Sequence, residues 1–284
     1  MMRTLSCIPF RALYLLSDLL YCLLFYIVRY RRKTAHRNIC ECFPEMSHAD
    51  AERIEKSFYR FFADMLLESV KMCSISEDEM RRRMRFTNAD TVNAVLDGGK
   101  SVSLFLGHYG NWEWVSSMPL WLTKKAIAAQ IYHKLRDKDF NRLILYNRGR
   151  MGAVSVDMRR TARYVNELAI EHKVSIIGYI ADQSPKMRES THFLTFLHHK
   201  TPVLVGPEKI TKHYGHEAWF VKVTRVGRGY YEAEFVKMHD NPKSLPDFEL
   251  TEIYYRMLEQ TIEEHPELYL WTHKRFKHAE KLNE

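Results

Sequence analysis

The polar and apolar pattern changes character near residue 100. From Leu5 to Val28 the chain is almost unbroken apolar, long enough to cross a bilayer's hydrocarbon core at about 1.5 Å per residue. Arg11 and Asp18 interrupt it, and a charge at the centre of a span costs roughly 2.5–3.5 kcal/mol. They are seven residues apart, on similar faces of a helix, where they can pair or face the protein. Arg29, Arg31, Arg32, Lys33 and Arg37 follow, a basic cluster that marks the cytoplasmic side and suits anionic lipid heads. No small-residue cleavage site follows the apolar run. Residues 1–33 therefore predict an uncleaved membrane anchor, with a buried amphipathic core helix as the alternative. Residues 34–284 predict a single cytosolic domain. The pattern leaves open whether the anchor spans the bilayer or lies in its interface.

Ser47 and Asp50 form a capping-box-like pair ahead of a long helix, whose Ile54, Phe58, Phe61, Phe62, Met65, Leu66 and Val70 make one apolar face. The basic run Arg81, Arg82, Arg83 and Arg85 reads as a solvated face or a phosphate contact. Beyond residue 100 short apolar runs alternate with helical stretches. Strands are predicted at Ser101–Leu106, Ala126–Tyr132, Val174–Ile180 and Phe193–Leu197. Helices are predicted at Asn111–Leu122, Asp137–Arg150, Met158–His172 and Glu249–Glu264. Gly206-Pro207 opens another that Gly215 closes. A hairpin joins Trp219–Val226 to Tyr230–Met238, and a basic tail ends the chain. Helices between strands imply an α/β fold: a mixed, largely parallel sheet flanked by helices.

Composition narrows the function classes. With 46% apolar residues and 36 aromatics among 284, intrinsic disorder is excluded. The net charge of +8 suits an anionic partner without choosing one. Recognisable nucleic-acid modules are absent, and with a bilayer anchor this argues against nucleic-acid binding. Five Cys, an odd number without regular spacing, favour a reducing compartment.

Several chemical signatures fail. Gly99-Lys100-Ser101 lacks the earlier glycine of a P-loop, and it precedes a strand. Phe220 stands where His216-Glu217 would need a second zinc histidine. Cys40, Cys42, His36 and His48 lack standard zinc spacing. His198-His199 reads as a polar turn. No G-x-S-x-G elbow occurs. One segment remains: Gly107-His108-Tyr109-Gly110-Asn111-Trp112-Glu113-Trp114, a glycine-flanked turn between a strand and a helix start. His108 lies just past a strand's C-terminal end, where open α/β sheets place ligands. Its imidazole can take a proton from an attacking hydroxyl, while the Glu113 carboxylate fixes the tautomer across the turn. The bland alternative is a polar turn with a satisfied histidine.

This segment resembles the His-x4-acid motif of lysophospholipid-type acyltransferases, and most closely the late (lauroyl/myristoyl) acyltransferases of lipid A biosynthesis. Other blocks resemble the same family in the same order: Arg37-Asn38 through Phe43-Pro44-Glu45, Ile180-Ala181-Asp182-Gln183, Thr201-Pro202 with Gly206-Pro207-Glu208-Lys209, and the terminus Pro266 to Lys277. Lys274 stands where arginine is common in that terminus.

The resemblance implies a membrane-anchored O-acyltransferase at the cytoplasmic face of the bacterial inner membrane. It would take a fatty acyl chain from acyl carrier protein, or from acyl-CoA, to a hydroxyl of a lipid A precursor. Its partners would be the acidic carrier protein, the anionic acceptor lipid and the membrane, with no metal or resident cofactor. His108 would be the general base and Glu113 its partner. Arg150, or Arg148, would be the family's essential arginine. Asp182 and Gln183 could contact substrate or cap a turn. Backbone N–H groups of the His108–Asn111 turn, or Arg150, would serve the oxyanion. The same chemistry on an aminolipid, lysophospholipid or other glycolipid is the second reading. A non-enzymatic protein that binds anionic lipid is the third.

Overall fold

The computed structural model describes residues 2–134 and 137–279. The first residue of the predicted anchor and the last five residues of the predicted basic tail lie outside them. The helices are α1 (Met2–Ser6), α2 (Phe10–Cys22), α3 (Arg32–Cys42), α4 (His48–Lys71), α5 (Glu77–Arg83), α6 (Ala89–Asp97), α7 (Lys138–Gly149), α8 (Thr161–Ile170), α9 (Gly206–Tyr214) and α10 (Glu249–Glu264). The strands are β1 (Met84–Phe86), β2 (Val102–Leu106), β3 (Ile127–Tyr132), β4 (Val154–Asp157), β5 (Ser175–Ile180), β6 (Phe193–Phe196), β7 (His199–Pro202), β8 (Glu217–Gly227) and β9 (Tyr230–His239). Seven strands form one sheet in the order β1-β9-β8-β2-β5-β3-β4, and β6 and β7 form a separate hairpin. Within the large sheet every neighbouring pair is parallel except β8–β9. The fold is thus the mixed, mostly parallel α/β sheet that the alternation predicts.

β2 and β5 lie side by side with Leu106 opposite Ile180. Both are buried along nearly their whole length, as central parallel strands must be. The main core packs this sheet against α4 and α10, and a smaller cluster of Ala129, Val156, Val165, Leu168, Ile177 and Tyr179 lies beneath α8.

The first thirty residues do not form one straight rod. Pro9 separates α1 from α2, which continues through a wider π turn to Ile27. Arg29 and Arg31 take left-handed backbone, and α3 begins at once. Phe10–Ile27 is long and apolar enough to cross a membrane. One face of α2 packs on α4, while Leu15, Leu19, Leu23, Ile27 and Val28 are exposed. Asp18 faces the protein: its partner is Arg228 at 2.6 Å, on the tip of the β8–β9 hairpin, and not Arg11. Arg228 also meets the buried Asp64 of α4 at 2.7 Å, together with Arg225 at 2.7 Å and the Ser17 hydroxyl at 2.7 Å.

Four local expectations change. Residues 111–122 are a turn followed by a 3-10 helix over Trp114–Leu120, not an α-helix. The Ser116 and Ser117 hydroxyls donate to the carbonyls three residues back, and Pro119 offers no N–H. Met158–Arg160 is likewise 3-10 before α8. His199 leaves the predicted polar turn to begin β7, its ring against Phe276. Finally, the basic run is neither bare nor simply solvated. Arg82 pairs with Glu79, Arg85 with Glu232, Arg81 stacks on Trp121, and Arg83 is buried between Phe10 and Tyr230.

Candidate active site

His108 sits two residues beyond the end of β2, and Asp182 two residues beyond the end of β5. Because Leu106 and Ile180 are in register, these two positions face each other above the strand ends. The Asp182 carboxylate accepts from His108 Nδ1 at 2.7 Å and from the His108 backbone N–H at 3.1 Å. Burial alone would raise the Asp182 carboxyl. The His108 charge, its two donors and the more distant Arg275 together outweigh burial and hold the carboxyl below its ordinary value. With Nδ1–H directed at Asp182, the neutral ring carries its lone pair on Nε2. The Gln183 amide nitrogen lies 3.1 Å from that Nε2 and donates to it. The Trp112 ring stands edge-on to the imidazole, with centroids 5.3 Å apart.

The turn itself is fixed by close packing. A side chain at Gly107 would collide with Leu258 of α10 at 2.7 Å, and Gly110 takes φ +58° against Val223. The C-terminal block is laid across the turn. Leu270 N–H donates to the His108 carbonyl at 3.1 Å, and Gly110 N–H donates to Leu268 O at 3.0 Å. Two adjacent tyrosines of α10 hold the strand ends that carry the pair. Tyr254 donates to Leu106 O at 2.9 Å, and Tyr255 donates to Ala181 O at 2.9 Å. The sequence places both tyrosines only on the predicted helix Glu249–Glu264. Their hydroxyl roles depend on strand ends distant in sequence.

Glu113 is not the carboxylate on His108. It accepts a two-pronged pair from Arg148, Nε at 2.9 Å and Nη2 at 2.6 Å. A five-residue offset does not bring Glu113 back to the ring, whereas strand register brings Asp182 there. The Glu113 charge holds the Arg148 guanidinium above its usual value against the opposing effect of burial. Arg150 faces elsewhere, donating to the carbonyls of Met72 and, at 3.1 Å, Ile75. Asn111 is fully buried. Its amide donates to Glu68 at 2.7 Å and its oxygen accepts from Trp114 N–H. Of the predicted site residues, then, the fold gathers His108, Asp182 and Gln183. It pairs Glu113 with Arg148 nearby, buries Asn111 against Glu68 and turns Arg150 to the carbonyls of Met72 and Ile75.

Beside Trp112 and Arg148 an apolar cavity opens under the sheet, lined by Leu104, Leu106, Met118, Ile131 and Gly178 among others. A histidine oriented by a carboxylate, with a small apolar cavity beside it, is an arrangement able to take a proton from a hydroxyl. Residues 1–278 match the family described as bacterial lipid A biosynthesis acyltransferase. The chain belongs to that family, and it is an O-acyltransferase of lipid A biosynthesis. No curated protein matches the chain.

Proposed function

We propose that the protein transfers a fatty acyl chain from an acyl carrier protein thioester to a hydroxyl of a lipid A precursor, at the cytoplasmic face of the inner membrane. The observation that carries this reading is the His108–Asp182 pair at adjacent strand ends beside an apolar cavity. The acceptor hydroxyl displaces the Gln183 amide and gives its proton to His108 Nε2. The oxygen then attacks the thioester carbonyl carbon, the tetrahedral intermediate collapses, and the C–S bond breaks. The departing thiolate takes the proton back from the imidazolium. Asp182 stabilises the imidazolium between those steps. Arg148, held by Glu113, lines the apolar cavity beside the site.

The net charge of +8 supports an acidic carrier protein and a phosphorylated lipid as partners. The exposed leucine and isoleucine face of α2 supports residence at the bilayer, with Arg29, Lys33 and Arg37 at lipid phosphates. The test is mass spectrometry of lipid A and total lipids from the host with this gene deleted. Loss of one acyl chain from lipid A, restored by wild type and not by His108→Ala, is the expected result. An unchanged lipid A with another acylated lipid missing would move the acceptor. Restoration by His108→Ala would overturn the mechanism.

A further inference from the structure

α2 runs antiparallel to α4 and is tied to it at both ends and in the middle. At its start the Lys71 ammonium donates to the carbonyls of Ser6 and Ile8 at 2.7 and 2.8 Å. Beyond its end the Tyr59 hydroxyl donates to Tyr30 O at 2.6 Å, and Arg32 of α3 pairs with Glu55 at 2.8 Å. At mid-length the Ser17 hydroxyl donates to Asp64 at 2.7 Å, and Asp18 pairs with Arg228 of the hairpin tip at 2.6 Å. Leu13, Ser17, Tyr21 and Phe25, at four-residue spacing, form the buried face.

On the opposite face Leu15, Leu19, Leu23 and Ile27 repeat at the same spacing and are exposed. Arg11 is exposed near the start of this stripe, and Arg29 and Lys33 are exposed past its end. An apolar stripe with basic groups at both ends suits one leaflet of an anionic bilayer. Crossing the bilayer does not suit the packing. Asp18 is the ninth of the 18 residues in the apolar stretch Phe10–Ile27. If that stretch stood across the hydrocarbon, α4 would have to stand there with it. Asp64, Arg225 and Arg228 would come to the bilayer centre, and the open tip of the β8–β9 hairpin would lie among lipid tails.

We propose that α2 is a single-leaflet anchor. It lies along one surface of the membrane with Leu15, Leu19, Leu23 and Ile27 in the hydrocarbon, so that α1 and the His108 site stay on the same side. This rests on the residence at the bilayer read above. The experiment places one epitope tag ahead of Met1 and another after Glu284 of the full chain, and adds protease to sealed, inverted inner-membrane vesicles of the host. Both tags should be cut. One tag protected while the other is cut would overturn the proposal. Tags both protected there and both cut in spheroplasts would support the single-leaflet anchor and overturn the cytoplasmic location proposed above.

A second arm floats the purified protein with preformed vesicles of phosphatidylethanolamine and phosphatidylglycerol. Wild type should float, and a wild type that stays in solution would overturn the bilayer residence itself. Replacing Leu19 and Leu23 together by Glu should lower the bound fraction at least about threefold, and a smaller fall would overturn the proposal. Both side chains face away from the domain, so thermal unfolding should match wild type. If the double variant fails to fold, the tag experiment, which uses the wild-type chain, decides.

Discussion

His108 Nδ1 and Asp182 Oδ1 lie 2.7 Å apart although 74 residues separate them in the chain. Parallel strand register does this. β2 and β5 are aligned with Leu106 opposite Ile180, and each chain runs two residues further before turning. The pair therefore depends on the two strands being neighbours.

The tyrosine hydroxyls that hold those strand ends should matter for rate. In Tyr255→Phe the Ala181 carbonyl loses its donor in a dry site, which costs about 1–3 kcal/mol of stability. Asp182 is the next residue, so kcat should fall roughly tenfold, with a smaller effect on KM. Denaturant unfolding and steady-state kinetics on Tyr254→Phe and Tyr255→Phe measure both.

Asp64 joins α2 to the domain through Ser17, Arg225 and Arg228. It is 2% exposed, whereas Arg225 is half-buried and Arg228 is exposed and keeps Asp18 as a partner. Asp64→Ala should cost about 1–3 kcal/mol, mostly from the lost hydrogen bonds. It should also make the first thirty residues more sensitive to limited proteolysis than the rest of the chain.

Gly178 lies in the wall of the apolar cavity, where a Cβ would make ordinary contacts at 3.8 Å. A larger side chain there fills space that an acyl chain would take. Gly178→Val should shift preference toward shorter acyl donors by about tenfold in relative kcat/KM, in a competition assay with donors of different length.

A buried histidine and a half-buried one give the fold an acid sensitivity. Burial pushes His216 and His273 each down to about 4, while the unfolded chain protonates them near 6.5. Between those values the unfolded state binds more protons, so stability rises with pH. Their contribution is full above about pH 6.5 and is lost as pH falls toward 4, by at most about 1.4 kcal/mol per pH unit for each. Urea midpoints from pH 7 to pH 4.5 should fall, and His216→Gln should flatten the slope.

Much of this architecture is legible in the chain. The runs at Val102–Leu106 and Ser175–Ile180 read as buried strands, Gly215 closes its helix at φ +68°, and Ser47 caps α4 by accepting from Asp50 N–H. His108, Asp182 and Gln183 are each legible as residues at strand ends. Which carboxylate meets His108 is not legible, because it follows from strand order. Local spacing favours Glu113, but the order β8-β2-β5 brings Asp182 to the ring and leaves Glu113 to Arg148. The three-residue β1, wedged among arginines, and the four-residue β4 lack the length for a periodic signal. Arg150 illustrates the same limit. The family resemblance implies a site residue there, whereas its carbonyl partners at Met72 and Ile75 come from a distant loop after α4.

The central claim is that Asp182 orients the base. The direct measurement is the single-turnover acyl-transfer rate of purified Asp182→Asn, beside wild type and Glu113→Gln. An asparagine keeps the shape of the site but stabilises the wrong tautomer and cannot stabilise the imidazolium. The rate should fall by about 10³–10⁴-fold, and Glu113→Gln, which loosens the hold on Arg148, should fall by less. A wild-type rate in Asp182→Asn, with loss confined to Glu113→Gln, would contradict the account.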